Sequence, residues 1–562
     1  EYEIWMRRHE RLEAQLAKFR RPGASTQGPI FSILLLLNEN HPTCLRHSLE
    51  SVFAQTYPKW ELLLITRSMG VPPMSNPSEN AHDIHSAPEP ALQPLLNDPR
   101  VKQISQSSTQ TITATLNTAL QQTQGEYLIL LTDGDELAPH ALDVIAEELA
   151  QKPTDFLYSD EDKLDQAQKR SSPFFKPDWS PEYFLGTMYT GQLGVYRTSL
   201  VRQIGGFRPD YEGAFDYDLA LRLTLQTNAI THVPQVLYHR RKSVQRDSAA
   251  ERRAVEDHLR SRQRQATVLP GWGERFHEVR YAINDRPLIS IIMASACRLV
   301  QIPRSSAEPG STQQGYWSLN CFEAIRRLAT YDHLELILLT PPQIDAALAD
   351  KLDSLGVIRK PYQEPFNFSM ATNQGAALAE GEQLLLLNDD TEPITPQFIE
   401  RMLSFSQQPE IGAVGAKLLF SDETIQHAGV VMPECMPGHP FYGSLRYSSG
   451  YHGSAQTHCN YLAVTAACMM TRRAVFQQIG GFDESFYMNF NDVDYCLRAI
   501  QKGYRIVYQP AAELYHHESM SKPPIHPDEL RQFRRRWSSV YDHDPFYNVN
   551  FQPGFRKYLL PT

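Results

Sequence analysis

An acidic cluster in the second half of the chain has the residue types of a divalent-cation site. Asn388-Asp389-Asp390 directly follows the wholly apolar run Leu384–Leu387, which predicts a buried strand. In a parallel α/β sheet, ligands bind outside the carboxyl ends of the strands, where this cluster falls. Carboxylate and amide oxygens are the ligands of Mg²⁺ or Mn²⁺, which bridge to the phosphates of a substrate. The alternative is a strand-to-helix turn in which aspartate accepts backbone N–H groups.

A second acidic cluster and a histidine follow further along the chain. Asp492 and Asp494 open a predicted helix that continues through Arg498, and a later apolar strand ends in Tyr515-His516. An aspartate near a helix N-terminus is often only a cap. The same clusters occur in the same order in the first half, however, and this recurrence favours a site.

The recurrence covers four landmarks, which predict two copies of one domain of about 250 residues each. The first copy carries Asn117, Gly125-Glu126, Thr132-Asp133-Gly134-Asp135-Glu136, Ile204-Gly205-Gly206-Phe207, Asp216-Tyr217-Asp218, Arg222 and Tyr238-His239. The second copy carries Asn373, Gly381-Glu382, Asn388-Asp389-Asp390-Thr391-Glu392, Ile479-Gly480-Gly481-Phe482, Asp492-Val493-Asp494, Arg498 and Tyr515-His516. The spacing from the asparagine to Gly-Glu is the same in both copies.

Composition excludes several classes of protein. The chain has 562 residues and a net charge of −10, which argues against a general nucleic-acid binder. Its seven cysteines are scattered without a CxxC pair, as expected for reduced thiols in a cytosolic protein. No apolar run approaches the ~18–20 residues that span a bilayer. The chain begins at Glu1 rather than Met, which is compatible with a fragment of a longer protein.

The order of apolar runs predicts an α/β fold with two domains. We expect an N-terminal helix within residues 1–28, a first domain at 29–267, a linker at 268–287, a second domain at 288–522 and a wrapping segment at 523–562. Apolar strands alternate with helices in both domains, which indicates mainly parallel, covered sheets. Residues 69–98 and 296–317 are rich in Pro, Ser, Asn or Gln and are expected to be irregular.

Together these motifs resemble the GT-A-fold, inverting glycosyltransferases of family 2. More narrowly, the chain resembles the tandem-domain bacterial enzymes that build O-antigen and other surface polysaccharides. In the first half the matching stretches are residues 51–60, 136–142, 158–163 and 175–179. In the second half they are residues 365–369, 412–419, 424–430, 464–468, 491–498 and 514–519. The resemblance extends from the first helix to about residue 550 and is specific only when the motifs are taken jointly.

The resemblance implies transfer of a sugar from a nucleotide-diphospho sugar to a glycan acceptor, with inversion and with help from Mg²⁺ or Mn²⁺. In the second domain it places Asn388 and Asp390 at the metal and diphosphate positions, with Asp389 beside them as a ribose contact. It makes Asp492 the general base. It also makes His516, with His517 as the alternative, a metal or phosphate contact.

The first domain departs from this pattern. Aligned on Gly-Glu, Thr132 stands opposite Asn388 and Gly134 opposite Asp390. This alignment leaves Asp133 and Asp135 as donor or metal candidates that are each displaced by one position.

Two further residues of the first domain match the pattern. Asp216 matches the base, and His239 matches the terminal histidine as a metal candidate. The first domain is therefore expected to be an altered transferase or a scaffold without turnover.

Three hypotheses remain open at this point: one active domain, most readily the second; two active domains adding sugars in turn; and an inactive carbohydrate-binding or assembly scaffold. The scaffold is favoured because the family's carboxylate after the second strand is missing from both copies, which read Ile65-Thr66-Arg67-Ser68 and Leu339-Thr340-Pro341-Pro342 there. The retained Asn388, Asp390, Asp492 and His516 oppose it. The resemblance implies a cytoplasmic enzyme that acts on a glycan acceptor. If that acceptor is lipid-linked, we expect peripheral contact with the inner membrane.

Overall fold

In the computed structural model the chain forms two compact units. One consists chiefly of Glu1–Trp179 and Met188–Arg264, and the other of Ser180–Thr187 and Gln265–Leu559. The structure describes residues 1–10, 28–37, 42–67, 92–106, 110–241, 246–303, 312–517, 525–538, 543–552 and 558–560. The rest of the predicted N-terminal helix and most of the expected loop at 69–98 lie outside these ranges. The prediction of an α/β fold with two domains is confirmed.

The first unit is built from nine strands and eight described α-helices. The strands are β1 (Phe31–Leu36), β2 (Trp60–Arg67), β3 (Val101–Gln106), β4 (Tyr127–Thr132), β5 (Glu136–Leu137), β6 (Phe156–Leu164), β7 (Arg170–Phe174), β8 (Gly194–Arg197) and β9 (Ile230–Arg240). The helices before residue 180 are α1 (Tyr2–Trp5), α2 (Pro42–Phe53), α3 (Gln93–Leu96), α4 (Ile112–Gln122) and α5 (Ala141–Gln151). Then come α6 (Pro181–Gly186), which belongs to the second unit, and α7 (Thr198–Gln203), α8 (Phe215–Leu223) and α9 (Ser248–Ser261).

The second unit contains the remaining strands. They are β10 (Ala266–Pro270), β11 (His277–Tyr281), β12 (Ile289–Ala294), β13 (Val300–Pro303), β14 (Thr312–Gly315), β15 (Leu334–Thr340), β16 (Val357–Pro361), β17 (Gln383–Leu387), β18 (Thr391–Pro393), β19 (Ile411–Leu419), β20 (Ile425–His427), β21 (Cys459–Tyr461), β22 (Cys468–Arg472) and β23 (Arg505–His516). Its later helices are α10 (Trp317–Leu328), α11 (Ala346–Ser354), α12 (Phe368–Leu378), α13 (Phe398–Ser406), α14 (Arg473–Ile479), α15 (Asn491–Gln501) and α16 (Pro527–Trp537).

Each unit has one large sheet with the same plan. The strand orders are β3-β2-β1-β4-β8-β6-β9-β5 and β16-β15-β12-β17-β22-β19-β23-β18. The first four strands of each order run parallel, and the fifth, β8 or β22, is antiparallel to its neighbours. The sheets are thus parallel at one side and mixed at the other. The apolar strands β1 and β17 are buried along their whole length, as their composition predicted.

The asparagine of the repeat is a structural clamp. The Asn373 side chain accepts the Phe482 N–H at 2.9 Å and donates to the Phe482 carbonyl at 2.9 Å. Asn117 makes the same pair of bonds with Phe207 at 2.8 Å. A Cβ on Gly481 would lie 2.6 Å from Asn373 Oδ1, so this close approach requires glycine. The clamp joins the helix before the acidic strand to the Gly-Gly-Phe turn in each unit.

Three expectations about the connecting segments need correction. Residues 268–287, expected as a linker, contain β11 and most of β10, which pair with each other inside the second unit. Residues 296–317, expected as irregular, contain the antiparallel pair β13 and β14. The N-terminal segment begins as α1 but continues as a π-helix over Met6–Glu10. In each case the backbone N–H and C=O groups are hydrogen-bonded within regular structure that the composition of the segment did not predict.

Candidate active site

A cleft of about 340 Å³ lies in the second unit, beyond the carboxyl ends of β12 and β17. Its lining combines an acidic side with an apolar side. The lining residues are Ala294, Ala296, Cys297, Arg298, Val300, Trp317, Phe366, Phe368, Asn388, Asp389, Asp390, Thr465, Ala466, Ala467, Met488, Asn491, Asp492 and His516. The structure therefore brings together all five candidates predicted for the second domain: Asn388, Asp389, Asp390, Asp492 and His516.

The end of β17 presents the first acidic cluster. The Asn388 N–H donates to the Ala467 carbonyl at 3.0 Å, which fixes the cluster against the turn before β22. Asp389 accepts a hydrogen bond from the Ser295 hydroxyl at 2.5 Å. Burial, with the charge of Asp390 adding to it, raises the pKa of Asp389 to about 6. Asp389 is thus held inside the cleft by a side chain from the end of the neighbouring strand.

Asp390 and His516 meet at one point because β18 pairs with β23. Thr391 lies opposite His516 in this antiparallel pair. His516 Nε2 is 3.1 Å from Asp390 Oδ1 and 3.2 Å from Asn388 Nδ2. His517 points elsewhere, since its ring stacks on Trp317 at 4.9 Å and contacts Glu392 at 3.3 Å. The His517 N–H donates to the Asp390 carbonyl at 2.9 Å, but of the two histidines predicted as alternatives only His516 places its ring beside the acidic side chains.

These donors fit Mg²⁺ or Mn²⁺ held jointly with a substrate. Such ions take one or two protein ligands and complete their coordination with water and substrate phosphates. Asp390 offers a carboxylate oxygen and His516 an imidazole nitrogen at the same place. In the part of the chain that the structure describes, no group of three or more His, Cys, Asp or Glu side chains could hold a metal ion. Asp390 and His516 are therefore two candidate protein ligands for a cation that would also bind substrate phosphates.

Asp492 lies in the first turn of α15 and lines the same cleft. Its carboxylate accepts the Val493 N–H at 2.8 Å and the Ala466 N–H at 3.1 Å. No arginine or lysine among the described residues lies within ion-pair distance of it. These contacts orient the carboxylate without neutralising it, so Asp492 can accept a proton.

The turn that delivers Asp492 is strained and braced from behind. Phe490 has φ +65°, a left-handed conformation that is uncommon for a bulky residue. Its ring stacks on Phe533 of α16 at 4.8 Å. Buried Glu529 of the same helix accepts the Met488 N–H at 2.9 Å and the Asn489 N–H at 3.0 Å. Part of the predicted wrapping segment therefore positions the loop next to the candidate base.

Asp494, two residues further on, has a different role. It is fully buried and bonds Arg498 at 2.7 Å, Arg536 at 2.7 Å and the Trp537 indole at 3.1 Å. Arg498 in turn donates to the carbonyl of Gly481 at 2.8 Å. The second aspartate of the repeated Asp-x-Asp is thus part of the structural clamp rather than the cleft.

In the first unit the counterpart of Asp492 is ion-paired. Asp216 accepts the Tyr217 N–H at 2.8 Å, the same local bond that Asp492 makes. Arg246, however, lies 2.8 Å from Asp216 Oδ2, and also contacts Glu251 at 3.0 Å. Burial disfavours the charged form of Arg246, but the two carboxylates outweigh it and raise the pKa of the guanidinium, which stays charged. The Asp216 carboxylate is therefore paired with an arginine, whereas Asp492 faces no such cation among the described residues.

The strand pairing changes the predicted alignment of the two acidic clusters. Glu136 of β5 lies opposite His239, as Thr391 lies opposite His516. Counting back from these pairs sets Asp135, rather than Gly134, in the place of Asp390. The reason is that β4 has six residues whereas β17 has five, so the first domain has one more residue before its short strand β5 than the second domain has before β18.

Asp135 and His239 nevertheless face other partners. Asp135 accepts the Tyr238 hydroxyl at 2.7 Å and the Arg241 N–H at 2.8 Å, and burial raises its pKa to about 7. His239 Nδ1 lies 2.6 Å from Asp162 Oδ1. Asp133 is buried as well. The first unit therefore retains the candidate residues but engages them in its own interior.

Sequence reasoning missed several residues that support the site. Ser295, Glu529 and Arg246 have no counterpart among the repeated landmarks, so no local signal marked them. Gln426 lay within the family-like stretch 424–430 without an assigned role, and its amide contacts the His516 ring. Each of these residues contacts a site residue that is distant from it in the sequence, so its role could be recognised only in the folded structure.

An α/β domain with an open acidic cleft at the carboxyl ends of its strands is the arrangement in which such folds bind nucleotide ligands. Residues 33–205 match the family model "Glycosyl transferase family 2", and residues 319–539 match "Glycosyltransferase like family 2". The chain belongs to glycosyltransferase family 2 and carries two such domains in tandem. No helix in the described ranges is long and apolar enough to cross a membrane.

Relatives include two larger bacterial proteins. The chain is 32% identical over 592 residues to the uncharacterized protein y4gI of Sinorhizobium fredii, covering 99% of this chain and 61% of that protein. It is 32% identical over 554 residues to the O-antigen biosynthesis protein RfbC of Myxococcus xanthus, covering 95% and 40%. The chain thus spans less than two thirds of the length of either.

More distant similarities are partial. An N-acetylglucosaminyl-diphospho-decaprenol L-rhamnosyltransferase of Mycobacterium tuberculosis is 29% identical over 137 residues, which are 22% of this chain and 44% of that protein. The solved structure of S. aureus TarS 1–349 in complex with UDP has 16% identity and a TM-score of 0.30, covering 41% of this chain and 65% of that one.

Proposed function

We propose that the second domain transfers a sugar from a nucleotide-diphospho sugar to a glycan acceptor, with inversion at the anomeric carbon and with assistance from Mg²⁺ or Mn²⁺. One observation carries the proposal. In the second domain Asp492 has no ion-pairing cation among the described residues and shares a cleft with Asn388, Asp390 and His516. In the first domain the matching Asp216 is ion-paired with Arg246.

The proposed reaction uses the two sides of this cleft. Asp492 accepts the proton of an acceptor hydroxyl, and the oxygen forms a bond to the anomeric carbon. The bond from that carbon to the nucleoside diphosphate breaks on the opposite face, and the configuration inverts. A divalent cation, when bound, would supply charge neutralisation on the diphosphate leaving group. Asp390 and His516 would hold that cation, while Asn388 and Asp389 orient the donor next to it.

The acceptor is proposed from the relatives. RfbC is named for O-antigen biosynthesis, and the mycobacterial relative is named for transfer of rhamnose to a diphospho-decaprenol-linked sugar. We infer that this chain acts on a growing surface polysaccharide, with a lipid-linked glycan as acceptor. Such an acceptor would bring the protein to the cytoplasmic face of the membrane as a peripheral enzyme. The hexosyl or deoxyhexosyl nature of the sugar is part of the same proposal.

The first domain is proposed to bind or organise without turnover. Its candidate base and its candidate metal residues are engaged by Arg246, Tyr238 and Asp162. A bifunctional enzyme would need Arg246 to leave a largely buried position beside two carboxylates, which costs ~1–3 kcal/mol. This ion pair is the observation that favours one active domain over two.

A donor panel tests the proposal. Nucleotide release and sugar transfer would be measured with UDP-, GDP- and dTDP-sugars, in the presence of Mg²⁺ or Mn²⁺ and with a lipid-linked glycan acceptor. We expect turnover with a member of the panel, loss of turnover on chelation and loss in Asp492→Asn. Failure of every donor, together with no metal-dependent nucleotide binding, would instead support a carbohydrate-binding or assembly scaffold.

A further inference from the structure

Gln426 contacts His516 on the side of the ring that faces away from the cleft. Gln426 is buried in the short strand β20, and its Oε1 lies 2.5 Å from His516 Nδ1. Its Nε2 lies 3.3 Å from the His516 carbonyl oxygen. A carbonyl oxygen only accepts, so the amide nitrogen of Gln426 must face it. The amide oxygen therefore faces Nδ1, and the hydrogen bond between them requires the proton to be on Nδ1.

In the neutral ring, which is the form that binds metals, this assignment leaves His516 Nε2 as a lone-pair donor. A neutral imidazole carries one proton, so a proton on Nδ1 leaves Nε2 free. Asn388 Nδ2, which only donates, lies 3.2 Å from Nε2 and agrees with that tautomer. Asp390 Oδ1 lies 3.1 Å from the same nitrogen. A lone pair and a carboxylate oxygen face each other there, and a cation between them would bind both.

The strand that carries Gln426 is anchored on both sides. Its neighbour His427 is buried, accepts the Gly429 N–H at Nε2 over 3.3 Å and contacts His439 at 3.0 Å. Gly429 has φ +98°, and a Cβ there would lie 2.3 Å from the Tyr461 ring. These contacts hold Gln426 in a fixed position, as a residue that sets a tautomer must be.

We propose that Gln426 is a positioning residue that fixes the Nε2 lone pair of His516 toward the cleft and so makes His516 a metal ligand. The inference rests on the proposed metal-assisted function. The first domain offers a parallel, because Asp162 Oδ1 lies 2.6 Å from Nδ1 of the matching His239. In both domains an oxygen acceptor faces the same ring nitrogen. Outer hydrogen-bond partners of ligating histidines generally act in this way, and their loss lowers metal affinity ~10–100-fold.

Two substitutions at one position separate this role from packing. Gln426→Leu removes the acceptor, so Nε2–H becomes available to donate to Asp390 and competes with the cation. Gln426→Glu keeps an oxygen opposite Nδ1 and replaces the amide N–H group that donates to the His516 carbonyl with a carboxylate oxygen. The control is Gln383→Leu, a buried glutamine of the same unit that bonds Ser406 at 2.9 Å and lies outside the cleft lining.

The measurement is the affinity for Mn²⁺ in the presence of UDP, by electron paramagnetic resonance on the full chain. We expect a ~10–100-fold loss in Gln426→Leu, and affinity near wild type in Gln426→Glu and Gln383→Leu. Nitrogen-15 spectra of histidine-labelled protein, with His516→Ala to identify the signal, should show the Nδ1–H form in wild type and in Gln426→Glu only. Thermal melts confirm that each variant is folded.

Two results for the variants would overturn the role of Gln426. One is a folded Gln426→Leu that binds Mn²⁺ as wild type does, and the other is a Gln426→Glu as weak as Gln426→Leu. Absence of Mn²⁺ binding in wild type would also overturn it. If Mn²⁺–UDP binds with the expected order of affinities but no donor sugar is transferred, the role of Gln426 stands and the proposed transferase function fails.

Discussion

The ion pair on Asp216 leads to opposite expectations for two matched substitutions. Asp492→Asn and Asp216→Asn change the same atom at equivalent positions of the two domains. Asp492 accepts two backbone N–H groups on its two different carboxylate oxygens, and the amide oxygen of asparagine can accept only one of them. Asp492→Asn should therefore lose one hydrogen bond, worth about 1 kcal/mol of stability, together with the proton acceptor. General bases contribute about 10²–10⁴-fold to rate, which is ~3–5.5 kcal/mol in the barrier.

The expected cost of Asp216→Asn is structural. Breaking a buried ion pair from one side costs ~3–5 kcal/mol, because the remaining charge is left uncompensated. Here Arg246 keeps Glu251 at 3.0 Å, and the side chains of Arg246 and Asp216 retain 17% and 16% exposure. We therefore expect a smaller loss, ~1–3 kcal/mol. For a domain of this size the melting temperature would fall by ~2–4 °C per kcal/mol.

The assay compares initial rates of nucleotide release at saturating donor with thermal unfolding of the same preparations. The expected pattern is a loss of kcat with only a small fall in Tm for Asp492→Asn, and a lower Tm with wild-type kcat for Asp216→Asn below its melting range. The double variant should show both effects additively, since the sites lie in separate units. A folded Asp216→Asn without turnover, or an active Asp492→Asn, would refute the assignment of the active domain.

Three further results are expected. Burial raises the pKa of Asp135 from its ordinary 3.8 to about 7. The folded state therefore binds this proton more tightly than the unfolded state does, and the free energy of unfolding falls as the pH rises between these two values. Asp135→Asn should remove this part of the pH dependence and increase stability by up to ~4 kcal/mol at pH 8. Asp494→Asn should lower stability by ~3 kcal/mol or more in urea unfolding, because its two arginine partners lose a fully buried counter-charge. His516→Ala should weaken Mn²⁺-dependent UDP binding, measured by calorimetry, on the order of tenfold or more while UDP binding without metal is unchanged.

The repeated landmarks were readable from sequence because most of them are structural clamps. Asn373 and Arg498 both hydrogen-bond to the turn that contains Gly481, and their first-domain counterparts make the same bonds. The spacing of these residues is therefore similar in the two copies. Buried parallel strands could also be predicted from sequence, because a continuous apolar run such as β17 is typical of a strand that is covered on both faces. The two-domain α/β fold and the location of the acidic cluster at a strand end followed from these features.

The correct alignment of the two acidic clusters could not be determined from spacing in the sequence. Counting from Gly-Glu placed Gly134 opposite Asp390, whereas the pairing of β5 with β9 places Asp135 there. One extra residue in a strand end is invisible to spacing from a single landmark. Register is fixed by hydrogen bonds between strands that are far apart in sequence.

The sequence by itself determined that one domain occurs twice and that each copy retains an Asp-x-Asp helix and a terminal histidine. Only the tertiary structure decided what those residues face. Arg246 reaches Asp216 across 30 residues, and Gln426 reaches His516 across 90. Neither partner belongs to a repeated landmark. The charge and tautomer of a side chain depend on the groups packed within a few ångströms of it, and those neighbours are set by folding rather than by adjacency along the chain.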